Sequence, residues 1–131
     1  MFVAKTFKVK TARDRAYWVT ETYKNECATE WTTFQQVNRV RVSFEETPCY
    51  RELKSLALDK CKELTAGEVQ EIWRVAKKRF LQAVVGDLTI LAAKDEAGSE
   101  FVEWDLPQIM SVNGIRRING ADKRRFAQNY L

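Results

Sequence analysis

Apolar residues recur every three or four positions at Val69, Ile72, Trp73, Ala76, Phe80, Ala83 and Val84, the spacing of one buried face of a helix. Thr65-Ala66-Gly67-Glu68 stands immediately before this stripe and reads as a capping box, in which a hydroxyl and a carboxylate each satisfy a free N–H group of the first turn. Gly86 follows the stripe and is expected in the left-handed position that closes a helix. Thr47-Pro48 predicts another helix start, since proline at the first helical position gives up no hydrogen bond. Cys49, Leu53, Leu56, Ala57, Cys61 and Leu64 supply its apolar face.

A period of two marks the strands. Phe7 and Val9 oppose Lys8 and Lys10 in a strand expected over Phe2–Lys10. Val40, Val42 and Phe44 alternate with Arg39, Arg41 and Ser43 in a β-like stretch that begins at Trp31. Between these two, Thr11 is expected to cap a helix with the stripe Ala12, Ala16, Val19, Tyr23 and Cys27, ending near residue 28. Leu88–Ala93 and Glu100–Trp104 are expected to pair as a hairpin through Ala97-Gly98-Ser99.

The C-terminal stretch reads in two ways. Asp105 and Pro107 start a short helix through Val112, or Ile109–Val112 pairs with Ile115–Ile118 across the turn Asn113-Gly114. The helix is favoured, because Pro107 resembles a helix start. Asn119-Gly120 then precedes a final helix over Ala121–Tyr130. The fold expected is α+β: one domain with a roughly four-stranded, mostly antiparallel sheet, helices packed on one face, and the order β-α-β-α-α-β-β-α-α.

Composition narrows the chemistry. The 131 residues are 45% hydrophobic and 31% charged, as in ordinary globular domains. They include no histidine, which excludes Ser-His and Cys-His hydrolases and histidine-containing zinc sites. Cys27, Cys49 and Cys61 are odd in number and form no CxxC pair, so they are expected to be reduced thiols buried on helical faces. No metal, cofactor or enzymatic activity is expected. Glu52-Leu53-Lys54 has the form of a metal-nuclease tail, but it follows a helix start that points its side chains apart. Asp87, Glu103 and Asp105 have no ligand-like spacing. No apolar run is long enough to span a bilayer, and the first ten residues lack the apolar stretch of a signal peptide, so a cytoplasmic location without membrane contact is expected.

Charge is unevenly placed. Residues 1–28 carry six basic and three acidic groups, residues 106–131 carry five and one, and the remainder carries eleven and fourteen. Basic ends around an acidic centre point to a polyanion as partner. Lys8, Lys10, Arg13 and Arg15 at one end, and Arg116, Arg117, Lys123, Arg124 and Arg125 at the other, are the candidate phosphate contacts, with Trp18 as a stacking platform for bases. Cations early in the last helix oppose its dipole, which suggests a purpose other than helix stability. The bland alternative is a basic tail lying on the protein's own acidic middle. Arg74, Lys77 and Lys78 are expected to be the solvated face of the long helix. The function expected is therefore non-enzymatic binding of DNA or RNA. The alternative is a small inhibitor, adaptor or immunity-type factor that covers a partner protein with Tyr17, Trp18 and Trp31.

Overall fold

The computed structural model describes residues 13–37, 41–94, 96 and 98–130. The strand expected over Phe2–Lys10, the Thr11 cap, and Lys8 and Lys10 lie outside the described residues. In chain order the elements are β1 (Ala16–Val19), α1 (Glu21–Glu26), α2 (Ala28–Val37), β2 (Val42–Ser43), α3 (Pro48–Ser55), α4 (Ala66–Gln82), β3 (Gly86–Leu91), α5 (Leu106–Ser111), β4 (Ile115–Ile118), β5 (Ala121–Asp122) and α6 (Lys123–Ala127).

The strands form one sheet in the order β2-β1-β3-β4-β5. Every neighbouring pair is parallel except β4 with β5. Among the described residues the sheet is thus five-stranded and mostly parallel, not the roughly four-stranded, mostly antiparallel sheet expected, and helices cover both faces. The physical reason lies in β1. Its four residues, Ala16-Tyr17-Trp18-Val19, are apolar without alternation because a strand central to a parallel sheet is buried on both sides. Ala16 and Val19 also fit a helical period, and four residues are too few to tell the two apart. The helix expected there begins only at Glu21, capped by Thr20, whose Oγ1 accepts the Tyr23 N–H at 3.1 Å.

On one face α4 lays Ile72, Ala76 and Phe80 against Ala16, Trp18, Leu88, Ile90, Ile115 and Ile118, with Leu106 and Ile109 of α5 completing the core. Both halves of the capping box are formed, Glu68 N–H to Thr65 Oγ1 at 3.1 Å and Thr65 N–H to Glu68 Oε1 at 3.0 Å. The helix ends at Gln82 with Ala83 as its cap, so Gly86 does not close it. Gly86 instead opens β3 at φ 91°, and its N–H donates to Gly114 O at 2.8 Å.

The opposite face is covered over β1 by α2. Phe34 meets the Tyr17 ring edge-on at 4.9 Å and Trp31 lies 6.1 Å from it. The β-like reading of Trp31–Phe44 therefore holds only at Val42–Ser43, and Val40 lies outside the described residues. The helix predicted at Thr47-Pro48 forms, with the Tyr50 N–H on Thr47 Oγ1 at 3.2 Å. It stops at Ser55 because Ala57 takes the left-handed conformation, which leaves Leu56 46% exposed.

The hairpin expected over Leu88–Ala93 and Glu100–Trp104 does not form. Residues 101–105 are a π-helical turn that runs into α5. A parallel β4 requires a crossover of a dozen or more residues, and this segment supplies it. The helix reading of residues 106–112 is correct, and Ile115–Ile118 is a strand as well. Its hairpin partner is β5, joined through Asn119 at φ 54° and Gly120 at φ 79°, both positive as a type I′ turn demands. The final helix accordingly begins at Lys123 rather than Ala121.

Candidate functional site

Asp14 and Asp87 join the two basic ends of the chain. Asp14 stands just before β1 at φ 62°, and its N–H donates to Val85 O at 3.0 Å. Its Oδ1 accepts the Asp87 N–H at 2.6 Å, and Asp87 Oδ1 accepts the Gly120 N–H at 3.2 Å. Because β3 lies between β1 and β4, Arg13 and Arg15 approach it from one side and Arg116 and Arg117 from the other. Arg117 is in register with both Asp87 and Asp122. Asp122 caps α6 through the Arg124 N–H at 2.8 Å, which brings Arg124 and Arg125 to the same hairpin.

Arg15, Arg116, Arg117, Arg124 and Arg125 are exposed and have no carboxylate within 4.0 Å among the described residues. Arg13 reaches Asp14 only at 4.0 Å, and a solvated contact of that length contributes little. The carboxylates nearby, Asp14, Asp87 and Asp122, each accept a backbone N–H. Around this joint the described residues carry six arginines against three carboxylates.

Two of the expected site residues are placed otherwise. Lys123 is half-buried and its Nζ donates to Val112 O at 3.1 Å, so it braces α6 against the end of α5. Trp18 is 5% exposed, with Phe44 stacked at 6.1 Å and Phe80 at 6.1 Å, and its Nε1 donates to Asp105 Oδ2 at 3.3 Å. Its ring has no open face for a base. Burial on both sides of β1 is the reason. Tyr17 is equally buried, and its hydroxyl donates to Glu46; burial and that carboxylate push the phenol well above its ordinary range. Trp31 is half-buried, stacked on Phe34 at 6.2 Å, with Lys24 Nζ 5.6 Å from its ring centroid.

The basic face of α4 is pinned rather than simply solvated. Arg74 grips Glu100 with Nε at 3.0 Å and Nη2 at 3.1 Å, and Lys77 Nζ donates to Asp105 Oδ1 at 3.1 Å. Both cations lie over the Trp104 ring, at 5.3 and 5.8 Å. Burial raises the Asp105 carboxyl above its ordinary value, against the pull of Lys77. Among the described residues no three His, Cys, Asp or Glu side chains are grouped to hold a metal ion, and no helix is long and apolar enough to cross a membrane. Asp87 and Asp105 are far apart in role, one at the start of β3 and the other buried beneath α4.

Reading the sequence did not identify Asp14 and Asp87 as the joint between the basic ends. The one signal available was the position of each beside a turn, Asp14 after Arg13 and Asp87 after Gly86. Arg41, whose Nη1 donates to Thr89 Oγ1 at 2.9 Å, was legible only as the polar half of an alternation. Comparison with protein-family models, with curated proteins and with solved structures finds no match to this chain.

Proposed function

We propose that this protein binds nucleic acid, without catalysis, through the phosphate backbone. The contacts are Arg13, Arg15, Arg116, Arg117, Arg124 and Arg125, with Lys8 and Lys10 as further candidates from the N-terminal segment. The observation that carries the proposal is the convergence of both basic ends on β3 with five arginines lacking carboxylate partners among the described residues. Guanidinium groups left in water suit a chain of phosphates, which each can meet with two parallel hydrogen bonds. With Trp18 inside the core, binding rests on charge rather than on base stacking. The alternative of a partner protein covered by Tyr17, Trp18 and Trp31 has less support, because two of these three side chains are buried.

Fluorescence anisotropy with labelled duplex and single-stranded DNA and RNA tests this. If all six arginines meet phosphates, the slope of log K against log salt on duplex DNA approaches about −5, from about −0.9 per phosphate. Charge reversal at Arg117 and Arg124 weakens binding to every sequence alike and flattens the slope. No binding tighter than about 10 µM at low salt, or a slope untouched by the reversals, overturns the proposal.

A further inference from the structure

The chain leaves β1 toward β2 on one side and comes back to β3 on the other. Loops after the carboxyl ends of two such strands diverge, and ligands of open α/β sheets bind in the gap between them. Here that gap is a crevice of about 730 Å³, within the range of small-molecule sites. Thr20 after β1, Phe44 after β2 and Glu96 after β3 stand in its wall together with Tyr50 of α3 and Trp73 of α4.

Glu96 is the unexplained group. It is 2% exposed. Its Oε2 accepts Thr20 Oγ1–H at 2.7 Å and the Ala93 N–H at 2.9 Å. Its Oε1 is buried and has no hydrogen-bond partner among the described residues. A native buried polar atom in that condition calls for a missing partner. Other carboxylates of the wall already hold cations: Asp105 holds Lys77 at 3.1 Å, Glu100 holds Arg74 at 3.0 Å and Glu45 holds Lys24 at 2.6 Å. Glu96 holds none. The ring of Tyr50 lies 5.3 Å from both Phe44 and Trp73, giving the crevice an aromatic side.

We infer that the crevice binds a small organic cation, whose ammonium or amidinium head donates to Glu96 Oε1 and whose apolar or aromatic body lies against Tyr50 and Trp73. Of the six acidic side chains in the wall, Glu45, Glu100 and Asp105 are paired with Lys24, Arg74 and Lys77, so it is the buried Glu96, unpaired among the described residues, that favours a cation over a neutral donor. Aromatic faces add attraction for the charged head. The site is independent of the arginine surface, which gathers at the amino end of β3 while the crevice opens at the carboxyl ends of β1 and β3.

Isothermal titration calorimetry with tryptamine and benzamidine, against indole-3-acetate and benzoate as anions of the same rings, decides. The expected result is millimolar or tighter binding of at least one cation, with its anionic counterpart at least about tenfold weaker. Glu96→Gln, which keeps an acceptor for Thr20 and Ala93, lowers the cation's affinity by about tenfold while the circular dichroism spectrum is unchanged. Equal binding of cation and anion, no binding of either cation, or a folded Glu96→Gln variant that binds as well as the natural protein overturns the inference. Should that variant fail to fold, the discrimination between cation and anion by the natural protein decides alone.

Discussion

The Asp87 N–H donates to Asp14 Oδ1 across 73 positions of sequence, and this bond seats the entry to β1 on the start of β3. Gly86 makes the seating possible. A Cβ at Gly86 would collide with the Asp14 carboxylate, and its φ of 91° is one that side chains resist.

Gly86→Ala is therefore expected to destabilise the fold by about 1–3 kcal/mol from backbone strain, and by more through the displaced Asp14. Gly98→Ala is the control, since its φ is also positive at 76° but nothing among the described residues lies within 4 Å of the added methyl. Urea denaturation of the two variants separates strain from collision. Equal losses would mean that Asp14 swings aside freely.

Phe80 is 0% exposed, whereas Trp73 is half-buried at the crevice. Phe80→Ala should cost about 3–5 kcal/mol, the usual range for emptying a closed aromatic site. Trp73→Ala should cost clearly less, because the space it leaves opens to solvent. A larger loss for Trp73 would place the centre of the core at the other end of α4.

Asp105 titrates above its ordinary value of 3.8 because burial disfavours the charged carboxylate. The folded state therefore binds its proton more tightly than the unfolded state. That contribution is fully present below the unfolded value and is lost as pH rises through the folded one. Asp105→Asn has no such titration. Its stability relative to the natural protein should rise as pH increases from about 4 toward neutral, whatever constant cost comes from unpairing Lys77. Denaturant midpoints across that range check it, and parallel curves would refute it.

Cys49 is 1% exposed and burial pushes its thiol up, while Cys27 and Cys61 are half-buried. A native-state thiol titration should show Cys27 and Cys61 reacting first and Cys49 reacting on unfolding. This replaces the expectation that all three are buried.

Helix starts were legible because they are local. Thr65 with Glu68, and Thr47 with Pro48, satisfy their own first turns within four residues, so no distant partner is needed to read them. Asn119-Gly120 was equally plain as a turn, yet its product was misassigned. Whether a strand or a helix follows a type I′ turn depends on what lies beside Ile118. Here the Asn119 side chain pairs with the Ile90 backbone, N–H to Oδ1 at 2.8 Å and Nδ2–H to O at 3.1 Å, and holds the hairpin on β3.

By itself the sequence determined the long amphipathic helix, its N-terminal capping box and the basic character of the two ends, and it favoured the short helix at Pro107 over a hairpin. These depend on spacing and composition along the chain, which are present before any folding. Tertiary structure alone decided that Ala16-Tyr17-Trp18-Val19 is a strand, that Glu100–Trp104 is part of a crossover, and that Arg13 and Arg117 flank the same strand. A strand buried on both faces loses the alternation that identifies it, and a parallel sheet places neighbours dozens of residues apart. Glu96 is the extreme case: its meaning depends on Thr20, 76 positions away, and on a crevice that exists only once β1 and β3 lie side by side.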